Sequence, residues 1–324
     1  MQVTVSEIYD ATYAALIHHG AGTEQAAHVA KAVARAEETG NVICGLYYLE
    51  SYCTQLKSGR VDGQVTPVVS APRPASIMAD AKFGFAQPAF AAGLPRAIEA
   101  AREMGVATLS VAHAHTCTSL GFFTEQIAAA GLIGIGMTNA SPVVAPPGGN
   151  KAVIGTNPIA MTVPGDPAPA MHFDFSTSAV ALGKITMAKA AGETIPLGWA
   201  VDQDGQPTTD PEAALKGALV SAGGYKGWGF GLMVELLAAG LTGSVNSLDV
   251  SGLKLPDGAP HGLGQFYILI DPATHGDHFA DRFARVADAI AEQDGGRIPG
   301  ANRKVLVDVD VPDALWASVK GLSA

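Results

Sequence analysis

Residues 75–114 read ASIMADAKFGFAQPAFAAGLPRAIEAAREMGVATLSVAHA, and this stretch decides the fold class. ASIMAD (75–80) and ATLSVAHA (107–114) are short, mostly apolar runs of strand length, and PAFAAGLPRAIEAAREMG (88–105) between them reads as a helix. Downstream the alternation continues with a helix over FFTEQIAAAG (122–131) and a strand over LIGIGMTNA (132–140). A Gly/Pro-rich loop follows, SPVVAPPGGNKAVIGTNP (141–158), and then IAMTVP (159–164) and MHFDFS (171–176) look extended. Strands alternating with helices indicate an α/β domain on a partly parallel sheet.

Outside this centre the pattern changes. Residues 5–38 carry helical spacing with a break at Gly20 and Gly22, and GLYYLESYCTQLKSG (45–59) gives a second helical piece. The short loop Gly40–Gly45 between them is a candidate wall of a site. Residues 181–222 read as irregular and polar, with DQDGQPTTDP (202–211) an obvious loop. GWGFGLMVELLAAGLTG (227–243) reads as a buried helix whose small residues also suit a subunit interface. FYILIDP (266–272) is a buried strand and HFADRFARVADAIAEQ (278–293) an amphipathic helix.

The 324 residues are 48% hydrophobic and only 6% aromatic, with 38 glycines, a mixture that suits tight α/β packing. A net charge of −10 repels nucleic acid and anionic membrane, so neither is expected as a partner, and any anionic ligand must be held by local donors. Cys44, Cys53 and Cys117 form an odd, sparse set without CxxC spacing. That argues for a reducing compartment and against a disulfide scaffold or a metal site. The N-terminus lacks a basic run before an apolar stretch, and the most apolar segment, Gly229–Gly243, is broken by Glu235 and too short to span a bilayer. A cytoplasmic protein is expected.

No GxGxxG opens a helix after a strand, so the usual dinucleotide fingerprint is absent. Three stretches nevertheless carry candidate chemistry. The loop Thr138–Pro158 offers amides for an anion, or merely turns the chain. FDFSTSAVALGK (173–184) ends a strand on Asp174 and follows it with Ser176, Thr177 and Ser178, which either serve a ligand or cap the next helix. SAGGYKGWG (221–229) pairs two glycines with Lys226 ahead of an apolar helix, suiting close approach to a ligand or a tight turn.

Taken with AEETGNVICG (36–45), DAKFGFAQPAF (80–90), AREMGVATLSV (101–111), LGFF (120–123), GLIGIGMTNASPVVAPPGG (131–149), GTNPIAMTVP (155–164), IPLGWAVDQDGQPTTDP (195–211), GGYKGWGFGLMVELLAAGLTG (223–243) and RIPGANR (297–303), these stretches resemble the malate/L-lactate dehydrogenase-like family almost end to end. That family includes 2,3-diketogulonate and sulfolactate enzymes and the Δ1-piperideine/Δ1-pyrroline-2-carboxylate reductases. The resemblance implies NADPH or NADH in a non-Rossmann, mixed-sheet domain, residues 74–225. Residues 1–73 with 226–324 would form a helical dimerisation and substrate-side domain of a homodimer. It also implies that the cofactor touches Thr116, Thr118, Ser119, the segment Asp174, Phe175, Ser176, Thr177 and Ser178, then Tyr225, Lys226 and the turn Gly300, Ala301 and Asn302. Tyr48, Thr156 and Lys184 would face a small-molecule substrate, and no metal is implied.

The sequence departs from this family where substrate should sit. The family's Ser-His pair corresponds to Ile43 and Cys44, its carboxylate-clamping arginine to Tyr48, and a second arginine to Ala181 or Leu182. The candidate catalytic residues are therefore Cys44, Asp174 and His115, with His113 beside it. Cys44 either donates a proton or fills the lost histidine's space. Tyr47, Tyr48, Lys184 and Lys226 are alternative substrate holders, and Lys151, Arg303 and Lys304 are candidate partners for a 2′-phosphate. The expected function is hydride transfer to the C=N or C=O carbon of a small 2-imino or 2-oxo acid, with a cyclic ketimine preferred because an iminium arrives protonated. A malate/lactate-type dehydrogenase and a cofactor-binding homologue without catalysis are the alternatives.

Overall fold

The computed structural model describes residues 1–323. The chain opens with a short strand, β1 (Gln2–Thr4), and two helices packed on each other, α1 (Val5–His18) and α2 (Thr23–Glu38). Thr4 caps α1: its hydroxyl accepts from the Glu7 amide at 3.1 Å, and its own amide donates to Glu7 Oε2 at 2.8 Å. Two 3-10 turns, Val42–Cys44 and Leu46–Tyr48, lead into α3 (Leu49–Ser58), which ends at Gly59 with φ 78°.

The central region follows as β2 (Val68–Arg73), β3 (Ser76–Asp80), α4 (Ala86–Met104), β4 (Val106–Ala114), α5 (Gly121–Ala129), β5 (Ile133–Thr138), β6 (Ile159–Val163) and β7 (Met171–Phe175). Next come α6 (Leu182–Ala191), the two-residue strands β8 (Ala200–Val201) and β9 (Pro207–Thr208), α7 (Pro211–Lys216) and β10 (Ala218–Leu219). The chain finishes with α8 (Tyr225–Glu235), β11 (Leu263–Ile270), α9 (Phe279–Ala291), β12 (Asp308–Asp310) and α10 (Asp313–Gly321).

Seven strands form one sheet in the order β2-β3-β4-β11-β5-β6-β7. Only β3 and β4 run parallel; every other neighbouring pair is antiparallel, so the sheet is mixed. The parallel pair is the one joined by the long helix α4, as a parallel crossover requires. Small residues on α4 (Ala86, Ala89, Ala97, Ala101) let it lie against the sheet, where Leu109, Phe90, Phe123 and Tyr267 build the main core. A second core joins α1, α2, α3 and α10, with Ile8, Leu16, Leu49, Tyr52 and Trp316 buried.

Three differences from the sequence expectation stand out. β11 lies between β4 and β5, so the sheet draws on both segments expected to form separate domains. The stretch expected to be irregular contains α6 and α7, while Ser176–Ser178 cap nothing: α6 starts after Ala181 and has no side-chain cap. Finally, α8 and the π turn after it bury only one face, leaving Phe230, Leu236 and Leu241 more than half exposed. Among the described residues no helix is long and apolar enough to cross a membrane.

Candidate active site

Asp174 sits near the end of β7, paired across the ladder with Ala160. Its Oδ2 accepts from the Gly121 amide at 2.7 Å and from the Ser119 hydroxyl at 3.4 Å. Gly121 opens α5, a helix without a side-chain cap of its own, so Asp174 supplies the anion that the helix N-terminus favours. Burial nonetheless dominates and pushes the carboxyl above the ordinary aspartate value, against the pull of these donors. Asn41 completes the group, its Nδ2 donating to Ser119 Oγ at 3.5 Å.

Asn41 also begins the turn that carries Cys44, whose amide donates to the Asn41 carbonyl at 2.8 Å. The turn is fixed from behind by Glu37, which accepts from the Leu46 amide at 2.7 Å, and any Cβ at Gly45 would overlap the Glu37 side chain. Glycine is required there for close approach. The Cys44 thiol is pushed up to about 12, first by burial and next by the Asp174 charge. The Tyr48 phenol also rises to about 12, through burial and then Cys44. Both groups are protonated at neutral pH, so Cys44 is no thiolate nucleophile.

A cleft of about 530 Å³ opens beside Asp174, lined by Thr39, Asn41, Ser119, His172, Phe173, Asp174, Arg297, Ile298, Pro299, Gly300, Asn302 and Arg303. Of the residues expected from sequence it gathers Ser119, Asp174, Gly300, Asn302 and Arg303, with Ala301 exposed in the same turn. Asn41, His172 and Arg297 were not foreseen. The late turn is built for this place: Gly300 has φ 86°, a Cβ on it would strike the His172 carbonyl, and the His172 amide donates to Pro299 at 3.0 Å.

Glu125 pins that turn. It is paired with Arg303, accepts from Arg35 Nε at 2.8 Å, and lies 3.7 Å from His172 Nε2. Removing it leaves two guanidinium groups facing each other in a half-buried site. Glu125→Ala is expected to lower stability by about 2 kcal/mol, the partial exposure of both arginines reducing the cost of a broken buried pair. Urea denaturation checks this, and a loss below 0.5 kcal/mol (roughly the surface-pair level) would mean that the network does not hold the turn.

The second group of expected residues also converges. Thr177 is tied to the 156–157 turn, its amide donating to Thr156 at 2.9 Å and its hydroxyl to Thr156 and Asn157 at 3.1 Å. Asn157 is held in turn by Glu235, 2.9 Å from its Nδ2. Ser178 pairs with Ser221, and the Ala222 amide donates to Thr177 at 2.9 Å, so the GGYKG turn lies directly beside the Asp174 strand end. Thr156 thus serves as scaffold through its carbonyl. Gly223 and Gly224 adopt positive φ in open space, and α8 begins with no side-chain cap, leaving first-turn amides with exposed Tyr225 and Lys226 as a donor set suited to a pyrophosphate. In the 141–158 loop the amides of Val143, Val144, Ala145, Gly149, Val153 and Ile154 are spent on other carbonyls.

Several expected residues are placed elsewhere. His115 is fully buried, with Nε2 2.6 Å from Gln55 Oε1 and its ring stacked 4.1 Å from that of His261. Burial and His261 push it well below the ordinary histidine value, so this candidate acid is a neutral core residue. His113 pairs with Asp80 at 3.0 Å and is not part of the cleft lining. His172 does reach the cleft but is held near 4 by burial and Arg303, so it too is neutral at pH 7. Thr116 is buried and donates its amide to His261, and Thr118 (φ 61°) turns its hydroxyl to the Cys117 carbonyl at 2.6 Å. Phe175 is exposed and stacked on Phe173, and Lys184 is exposed on α6, outside the cleft lining.

The family profile described as "Malate/L-lactate dehydrogenase" matches residues 3–307. Among curated relatives, a (2R)-3-sulfolactate dehydrogenase (NADP(+)) of Chromohalobacter salexigens is 39% identical over 94% of this chain and 91% of its own. A Δ1-pyrroline-2-carboxylate/Δ1-piperideine-2-carboxylate reductase of Pseudomonas syringae pv. tomato is 37% identical over 93% of this chain and 88% of its own. Among solved structures, the crystal structure of Δ1-piperideine-2-carboxylate reductase from that organism superposes with a TM-score of 0.92 at 34% identity, covering 99% of both chains.

Proposed function

The chain belongs to the malate/L-lactate dehydrogenase family, and from that premise we propose that it is an NAD(P)H-dependent reductase of small cyclic 2-imino acids of the Δ1-pyrroline- and Δ1-piperideine-2-carboxylate type. The observation that carries the choice is the proton inventory of the site. His115 lies in the core outside it, His172 is held neutral, and Cys44 at about 12 is a weak acid. Reducing a ketone leaves an alkoxide that needs a proton from such a donor. An iminium already carries its proton and needs an anion to favour it, which Asp174 supplies beside Cys44.

The cofactor supplies the hydride when bound. On the protein side, the first-turn amides of α8 with Lys226 suit the pyrophosphate, Ser178 lies against Ser221 just ahead of them, and Gly300 and Asn302 line the cleft beside Asp174. Residues 74–225 provide most of this cofactor side. The substrate side comes from residues 1–73 and the C-terminal part. The apolar face of Phe230, Leu236 and Leu241 suits a homodimer contact, and the three free cysteines suit a cytoplasmic setting.

A second reading, a 2-oxo acid dehydrogenase, draws on Arg297 in the cleft wall, which makes no ion pair among the described residues and offers a partner for an acid group. Measuring kcat/KM for Δ1-piperideine-2-carboxylate beside pyruvate, with NADPH and NADH, separates the two. A preference of about 100-fold or more for the imine is expected, near 2.7 kcal/mol of transition-state selectivity. A preference for pyruvate overturns the proposal, and cofactor binding without turnover on either substrate indicates a homologue that has lost catalysis.

A further inference from the structure

We infer that Lys254 replaces the missing arginine clamp, and that its ammonium binds the substrate carboxylate at the wall formed by Tyr47, Tyr48 and Cys44. The identity of that ligand rests on the reductase reading; the cationic site itself rests on geometry. Tyr48 stands where the resembling family carries an arginine, and a phenol held neutral cannot balance a carboxylate. The structure restores a positive charge at the same place from a loop far away in sequence. Lys254 Nζ lies 3.1 Å from the Tyr47 ring centroid and 4.6 Å from that of Tyr48. The Tyr48 phenol feels the Cys44 thiol, and Cys44 in turn feels Asp174. A cation against Tyr48 and a carboxyl felt by Cys44 therefore stand at the two ends of the Cys44–Tyr48 turn, an order that suits a zwitterionic 2-imino acid with Lys254 toward its carboxylate and Asp174 toward its iminium.

The lysine is neither spent nor loose. None of the ion pairs among the described residues involves it. The faces of two aromatic rings restrict its head by cation–π attraction while leaving it accessible. Its loop is fastened on both sides. Arg60, 1% exposed, donates to the carbonyls of Gly252 at 3.0 Å, Leu255 at 2.7 Å and Ala259 at 3.0 Å, and to the Ser251 hydroxyl at 2.6 Å. Gln55 adds bonds to Leu253 at 2.9 Å and Leu255 at 2.6 Å, and Ser58 one to Pro256 at 2.7 Å. Burying a whole guanidinium is costly unless every donor is used. Here the donors are used to hold the loop that carries Lys254 against α3, the helix that begins next to Tyr48.

The test is Lys254→Met, which keeps an apolar stem on the tyrosines, beside Lys254→Arg. For Lys254→Met, KM for Δ1-piperideine-2-carboxylate is expected to rise about 10- to 50-fold, the loss of one charge-assisted contact, with kcat changed less than about threefold. Activity on Δ1-piperideine, the same ring without the carboxylate, should stay unchanged, and Lys254→Arg should recover most of the KM. An unchanged KM for the acid, or an equal loss on both rings, overturns the assignment. A binding arm keeps it independent of turnover: with NADP+ present, wild type should bind pyrrole-2-carboxylate more tightly than pyrrole-2-carboxamide, and Lys254→Met should lose the difference. If wild type reduces no imine, the reductase reading falls while this comparison still judges Lys254. If wild type binds acid and amide equally, the clamp falls.

Discussion

Asp174→Asn is expected to lower kcat/KM for the cyclic imine by about 10³-fold while leaving the protein at least as stable as wild type at pH 7. The activity loss follows from charge: the carboxamide still accepts from the Gly121 amide but no longer favours a cationic nitrogen, and removing one well-placed electrostatic partner costs about 10²- to 10³-fold. The stability gain follows from linkage. The folded-state carboxyl titrates above its ordinary value of 3.8 because it is buried, so between that value and the raised one the native state binds more protons than the unfolded state. Stability then falls as pH rises through this window, and at pH 7 the whole cost is present. Asparagine removes it, so the gain should vanish below about pH 3.8, where both states carry the protonated acid. The same titration requires kcat/KM of wild type to fall as pH drops through the raised value. Denaturation curves at several pH values and a kcat/KM profile test both halves. A variant that retains a tenth of wild-type activity, or one clearly less stable at pH 7, would refute the role given to Asp174.

Much of the scaffold was legible because it is local. The β3–α4–β4 unit is written in two short apolar runs and one long helical one, and α1 and α2 in a helical run broken at Gly20 and Gly22. The position of β11 was not, since FYILIDP announces a buried strand but not that β4 and β5 are its neighbours. Nor was α6, which buries only Ile185 and so lacks the apolar stripe that marks a helix in sequence. In the site, Asp174 was legible because it ends a strand ahead of a run of hydroxyl residues, whereas Ser119 and Gly300 followed from the family resemblance and not from their local context. His115 was misplaced because a histidine at a strand end has the same sequence context whether its ring turns to a cleft or to the core. Lys254 gave no signal, as its meaning comes from Arg60 and Gln55 folding a distant loop onto Tyr48.

Cys44→His should largely erase the preference of the enzyme for the imine. Reduction of pyruvate is expected to rise about 10²-fold, the usual contribution of a positioned general acid, while reduction of Δ1-piperideine-2-carboxylate changes by less than threefold. The thiol at about 12 is a poor proton donor to a developing alkoxide. An imidazole in the same turn ordinarily titrates near neutrality. Burial would lower its value, as it does for His172 and His261, but the carboxylate that now disfavours the Cys44 thiolate would favour an imidazolium. The variant's pyruvate activity should therefore fall as pH rises through the imidazole titration, whereas wild type has no such limb. The imine reaction gains nothing, because its nitrogen keeps the proton it brought. Parallel kcat/KM profiles for both substrates decide the matter. If the histidine raises both reactions equally, the iminium was never independent of a protein acid; if it raises neither, Cys44 is a space-filling residue and the proton inventory does not set the substrate.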